Sequence, residues 1–134
     1  VAIQQSVAVR NAMLDATEST PGTAPLLKIR TGAPPANCAA ADTGTVLVSM
    51  TLPSDWMAAA SSGSKAKSGT WSASASAAGT AAHYRIYDSA GTTCHEQGTV
   101  TITGSGGDLT LDNDNIANAQ VVTVTTYSRT AGNA

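Results

Sequence analysis

Short runs with an apolar residue at every second position, each cut off by Gly or Pro, constrain this chain more than any other feature. Leu27 and Ile29 alternate with Lys28 and Arg30, and Val46, Val48, Met50 and Leu52 alternate with Leu47, Ser49 and Thr51. A period of two puts one set of side chains on each face of a pleated strand, so both runs predict half-buried strands. Between them, Gly32, Ala33, Pro34 and Pro35 open a Pro- and Ala-rich loop that continues to Gly44.

The same pattern returns further along. From Ser61 to Thr80 the composition is almost wholly Ser, Ala, Gly, Lys and Thr, which resembles a linker. Yet Trp71, Ala73, Ala75 and Ala77 alternate with Ser72, Ser74 and Ser76. That alternation predicts a strand whose methyl face lets a second sheet approach closely, and a free linker would have no use for Trp71. Ala82, Tyr84 and Ile86 oppose His83, Arg85 and Tyr87, and the turn residues Asp88 to Gly91 join this run to a second arm from Thr93 to Thr103, giving a hairpin. Gly98 inside that arm marks an expected bulge. Leu109 to Leu111 is a short strand, and Gln120 to Arg129 is read as one long closing strand.

Only the N-terminal segment departs from this pattern. Ile3, Val7 and Leu14 recur near helical spacing, predicting a helix over about 3–17 that Pro21 and Gly22 stop. Ser54 or Asp55 is placed to cap a single helical turn at Trp56 and Met57. One helix in front of many short strands predicts a mainly β domain spanning 1–134, an antiparallel sandwich or jelly roll with one short N-terminal helix. Although 42% of residues are hydrophobic, much of that fraction is Ala and Phe is absent, so a thin core is expected.

Charge excludes some partners. With 12% charged residues and a net charge of −2, the chain lacks the basic field that binding to a phosphate backbone requires, so nucleic acid is not an expected partner. No apolar run reaches the roughly 20 residues of a membrane span, and the first residues lack the pattern of a signal peptide, so cytoplasmic synthesis without membrane insertion is expected. Cys38 and Cys94 are then expected as reduced thiols.

Catalytic and metal chemistry find little support. Cys94-His95-Glu96 contains three residue types that bind zinc or serve nucleophilic catalysis, but on a strand Cys94 and Glu96 share a face and His95 does not join them. Asp108, Asp112, Asn113, Asp114 and Asn115 are rich in oxygen ligands, but the Gly and Glu spacing of a calcium loop is missing, so a solvated turn is expected. Gly104 to Gly107 lacks the Lys and following helix of a phosphate cradle. No convergent acid, base and nucleophile can be named, so the expectation is a protein that is not an enzyme, with no cofactor and no metal.

The order of segments also carries a resemblance. Arg10-Asn11-Ala12, the Leu27–Gly32 strand, Ala82-His83-Tyr84-Arg85-Ile86-Tyr87-Asp88-Ser89-Ala90-Gly91, Gly98-Thr99-Val100, Gly106-Gly107-Asp108-Leu109 and Gln120–Thr125 follow one another as in small proteins encoded near the capsid genes of tailed bacteriophages. The chain resembles their cement, or decoration, proteins over most of its length, departing in Ser61–Ala78 and Cys94-His95-Glu96. The resemblance implies a jelly-roll-like protein on the virion capsid surface, assembled in the host cytoplasm, which bridges major capsid protein subunits as a homodimer or small homo-oligomer. Candidate partner contacts are Arg10 on the helix, Pro34 and Pro35 in the loop, and Trp56 and Met57. The alternative is a receptor- or glycan-binding β module of a phage tail or fibre, with Trp56, Tyr84 or Tyr87 as a sugar platform.

Overall fold

Helix formation begins at Ser6, not at Ile3. In the computed structural model, which describes residues 2–133, the Ser6 hydroxyl accepts from the Val9 amide at 3.2 Å and caps α1 (Val7–Ser19). Ile3 lies in an extended arm, 78% exposed, so its helical spacing to Val7 is coincidental. The strands follow as β1 (Leu26–Arg30), β2 (Val46–Thr51), β3 (Ser64–Ala66), β4 (Trp71–Ser74), β5 (Gly79–Thr80), β6 (His83–Tyr87), β7 (Cys94–Ile102), β8 (Leu109–Leu111), β9 (Asn115–Ile116), β10 (Val121–Val124) and β11 (Ser128–Thr130).

Five strands form the main sheet in the order β2-β1-β6-β7-β8, antiparallel except for β7 and β8, which run parallel. Pairing sets Leu27 beside Met50 and Ile86, and Ile29 beside Val48 and Tyr84, so the predicted alternation becomes one continuous apolar face. Three short ladders, β4/β10, β3/β11 and β5/β9, supply the other residues of the core. The result is a mainly β, antiparallel-rich, sandwich-like fold with one short helix, as the residue pattern predicts.

A shift of register between Ile29 and Arg30 leaves Leu47 without a partner on β1. Leu47 and Val48 are consequently both fully buried, against strict alternation, and the Leu47 carbonyl accepts from the Ser76 amide at 2.8 Å. The small side chains after β4 permit that approach: Ala75 is buried, and Ala73 and Ala77 pack on the core. Aromatic rings supply the bulk that Ala lacks. Trp56, Trp71, Tyr127 and Tyr84 form a chain with centroid separations of 5.9, 5.3 and 5.9 Å, so the core is built around large rings.

Two further segments differ from the sequence pattern. Ser54 and Asp55 cap no helix: Met57 forms an antiparallel bridge with Lys67, while the Trp56 indole donates to the Gly22 carbonyl at 3.1 Å. Gln120–Arg129 divides into β10 and β11, which pair with β4 and β3 respectively, because Tyr127 turns its ring into the core between them.

The hairpin of β6 and β7 forms as predicted, with the Asp88 carboxylate accepting from the Thr92 and Thr93 amides. Its bulge lies between Ile86 and Tyr87, opposite His95, and not at Gly98. Gly98 answers a different need. A Cβ there would stand 2.8 Å from the Tyr84 ring and 2.9 Å from the Asp108 carboxylate. Gly98→Ala is therefore expected to cost about 1–3 kcal/mol by overpacking, read as a lower urea midpoint at unchanged slope. Unchanged stability would show that this contact yields freely.

Candidate functional site

The two faces of the main sheet carry different chemistry. On the outer face the loop 31–45 lies across β1, β6 and β7, held by side chains that the alternation assigns to solvent. The Arg85 guanidinium donates to the carbonyls of Cys38 at 2.7 Å, Ala40 at 3.2 Å and Asn37 at 3.3 Å, and it pairs with Asp42. Arg30 pairs with the other Asp42 oxygen at 2.8 Å, and the Tyr87 hydroxyl donates to Asp42 at 2.5 Å. Gln97 donates to the Pro35 carbonyl, and His83 Nδ1 meets the Gly32 carbonyl, both at 2.7 Å. Burial alone would raise the Asp42 carboxyl, but Tyr87, Arg85 and Arg30 outweigh it and hold it below the usual carboxylate range. Burial and the same carboxylate push the Tyr87 phenol up to about 12.

On the inner face Glu96 accepts from Tyr84 at 3.0 Å, from Tyr127, and from Arg129 at 3.2 Å. The bulge at His95 brings this about. Tyr87 pairs with Cys94 while Ile86 pairs with Glu96, so Cys94 and Glu96 face opposite sides of the sheet, contrary to simple alternation. His95 and Glu96 border a cleft of about 330 Å³ between the sheet and α1, with Met13, Ala16, Thr17 and Arg129 on its other walls.

Burial raises the Glu96 carboxyl, and Arg129 and Tyr84 pull against it without cancelling it. A carboxyl raised in the folded state opposes folding when charged. Its contribution therefore improves as pH falls from neutral towards the unfolded value near 4.5. Glu96→Gln is expected to raise stability at neutral pH by less than about 1 kcal/mol and to flatten its dependence on pH between neutrality and the unfolded value. Urea titrations at both ends of that range check this, and a clear loss would mean that the charge supports the fold.

Among the described residues no group of three or more His, Cys, Asp or Glu is placed to hold a metal ion. In the acidic segment Asp108 accepts from the Thr99 amide at 2.9 Å and hydroxyl at 3.0 Å, and Asn113 accepts from the Asn115 amide at 3.0 Å. The Asn113 contact is a local backbone bond of the expected turn type, whereas Asp108 reaches across to β7, nine positions away.

The expected partner contacts fare unequally. Trp56 and Met57 are 2% and 1% exposed and belong to the core, so neither offers a contact surface. Pro35 is buried and Pro34 half-buried, since the loop is fastened to the sheet. Arg10 is half-buried and donates to the Ala131 carbonyl at 3.2 Å, tying α1 to the C-terminal segment.

What the sequence pattern missed is the orientation of α1. Its docking stripe is Asn11, Leu14, Asp15 and Glu18, at helical spacing i, i+3, i+4, i+7, and only Leu14 is a buried hydrophobe. Asn11 accepts from the Gly63 amide at 2.9 Å and Asp15 from the Ala60 amide at 3.0 Å. The ammonium of buried Lys65 meets Asp15, Glu18 and the Ala58 carbonyl, each at 2.8 Å. The apolar residues Val7, Val9 and Met13 are instead 46, 46 and 50% exposed. Polar groups thus supply most of the docking, while Val9 and Met13, four positions apart on another face, remain exposed.

No helix of the described residues is long and apolar enough to cross a membrane. No family model, curated protein or solved structure matches this chain.

Proposed function

We propose that this protein is a structural virion component that binds the outside of a tailed-phage capsid and reinforces contacts between major capsid protein subunits, acting as a homodimer or small homo-oligomer. The observation that carries the proposal is the exposed apolar pair Val9 and Met13 on a helix docked largely by polar groups. Ile3, Val7, Val9 and Met13 expose apolar surface from one arm and one helix, while the helix is held to the body by ion pairs and amide contacts. Val9 and Met13, four positions apart on one helix face, form an exposed apolar pair, which favours a protein partner there.

Covering the Val9 and Met13 side chains contributes about 1–3 kcal/mol, a modest single contact. Many copies on one lattice make such contacts effective together. The ordered resemblance to capsid cement proteins supplies the kind of lattice. A receptor- or glycan-binding role has less support: Trp56, Trp71, Tyr84, Tyr87 and Tyr127 are all at most 5% exposed, leaving no aromatic platform for a sugar.

The test is sedimentation of the purified protein with expanded capsid shells. Val9→Asp combined with Met13→Asp is expected to weaken shell binding at least about 100-fold and to change folding stability by less than about 0.5 kcal/mol. Undiminished binding of that folded variant would contradict docking through α1.

A further inference from the structure

We propose that Cys38 and Cys94 form an oxidative modification site, in which an intramolecular disulfide staples the loop 31–45 to β7. The cysteines lie far apart in sequence, one in the loop and one on the main sheet, yet one guanidinium contacts both residues and both line one cleft. That guanidinium belongs to Arg85. Its Nη2 donates to the Cys38 carbonyl at 2.7 Å, while its Nε donates to the Cys94 sulfur at 3.2 Å. Both residues are free thiols, both are half-buried, and both border one open cleft of about 280 Å³. A small oxidant would reach the pair through this cleft.

The oxidant required is a small-molecule disulfide. Cys38, as thiolate, attacks one of its sulfurs, forming a mixed disulfide and releasing one small thiol. The Cys94 sulfur then displaces the second small thiol, closing the Cys38–Cys94 bond. The two protons lost by the protein thiols end on the two released small thiols, and the electron pair passes to the small disulfide. Burial, with Cys38 second, pushes the Cys94 thiol up to about 11, which suits it to act as the resolving and not the attacking thiol. The fold is complete with both thiols free, so the bond adds to a formed structure. The inference stands independently of any capsid role.

The test treats the reduced full-length chain with glutathione disulfide, followed by mass spectrometry and peptide mapping. The expected product has lost two hydrogen atoms, contains a cross-link between the Cys38 and Cys94 peptides, retains no free thiol, and melts on the order of 10 °C higher. Cys94→Ser is expected to stop at one bound glutathione on Cys38, with no comparable gain. Persistence of both thiols, accumulation of a chain with two glutathiones, or disulfides formed between chains would each overturn the proposal.

Discussion

Asp42→Asn is expected to destabilise the protein by about 2–4 kcal/mol, although the residue lies in an exposed part of the loop. The reason lies beneath it. The Arg30 and Arg85 side chains are 7% and 2% exposed, and Asp42 is the carboxylate paired with both. Removing the charge leaves two buried cations uncompensated, which ordinarily costs about 3–5 kcal/mol, discounted here because 37% of the Asp42 side chain is exposed. The folded carboxyl sits below its unfolded value near 3.8, so its stabilisation is complete above that value and is lost as pH falls through the folded one. Acid denaturation of the variant should consequently be less steep than that of the parent. Calorimetry and urea titration check both effects, and a loss below about 0.5 kcal/mol would mean that water satisfies the two arginines equally well.

Trp71→Ala is expected to cost about 3–5 kcal/mol, a large share of the 5–15 kcal/mol typical of a small domain. Trp71 is fully buried at the end of the β4/β10 ladder, touches the rings of Trp56 and Tyr127, and donates from its indole to the Ser68 carbonyl at 3.1 Å. Residues 72–79 are all Ala, Ser or Gly, so they cannot fill the space left behind, and the Trp56 and Tyr127 rings that border it are themselves held in the core. Trp71→Phe keeps a ring and should lose less than half as much. Equal losses in the two variants would point to the indole hydrogen bond, and not to volume, as the source of stability.

The strands were legible because their information is local. Leu27 and Ile29, the Ala face after Trp71, and the turn between Tyr87 and Cys94 each declare themselves within a few residues. Whatever depended on pairing register was hidden. Nothing near Leu47 announces the bulge that turns it inward, and nothing in Cys94-His95-Glu96 reveals the bulge that sends its cysteine and glutamate to opposite faces.

The buried charges were hidden for a related reason. Arg85 and Asp42 are 43 positions apart, so each by itself reads as a solvated residue. Helix α1 misled most, since the exposed Asp15 is drawn toward the body by Lys65, 50 positions away, a buried cation. Apolar periodicity assigns a helix face to the core on the assumption that burial is apolar. Here polar partners supplied most of the docking beside Leu14, and Val9 and Met13 were left outside.

Heating virions with and without this protein, and following DNA release, tests the proposed role most directly. A component that binds only the assembled shell stabilises that state by mass action. Particles lacking the protein should still assemble but release DNA at a lower temperature, adding the purified protein back should restore the higher temperature, and the Val9→Asp, Met13→Asp variant should not. Release at the same temperature from both kinds of particle, with the deficient particles instead failing to adsorb to host cells, would contradict the cement role and favour receptor binding.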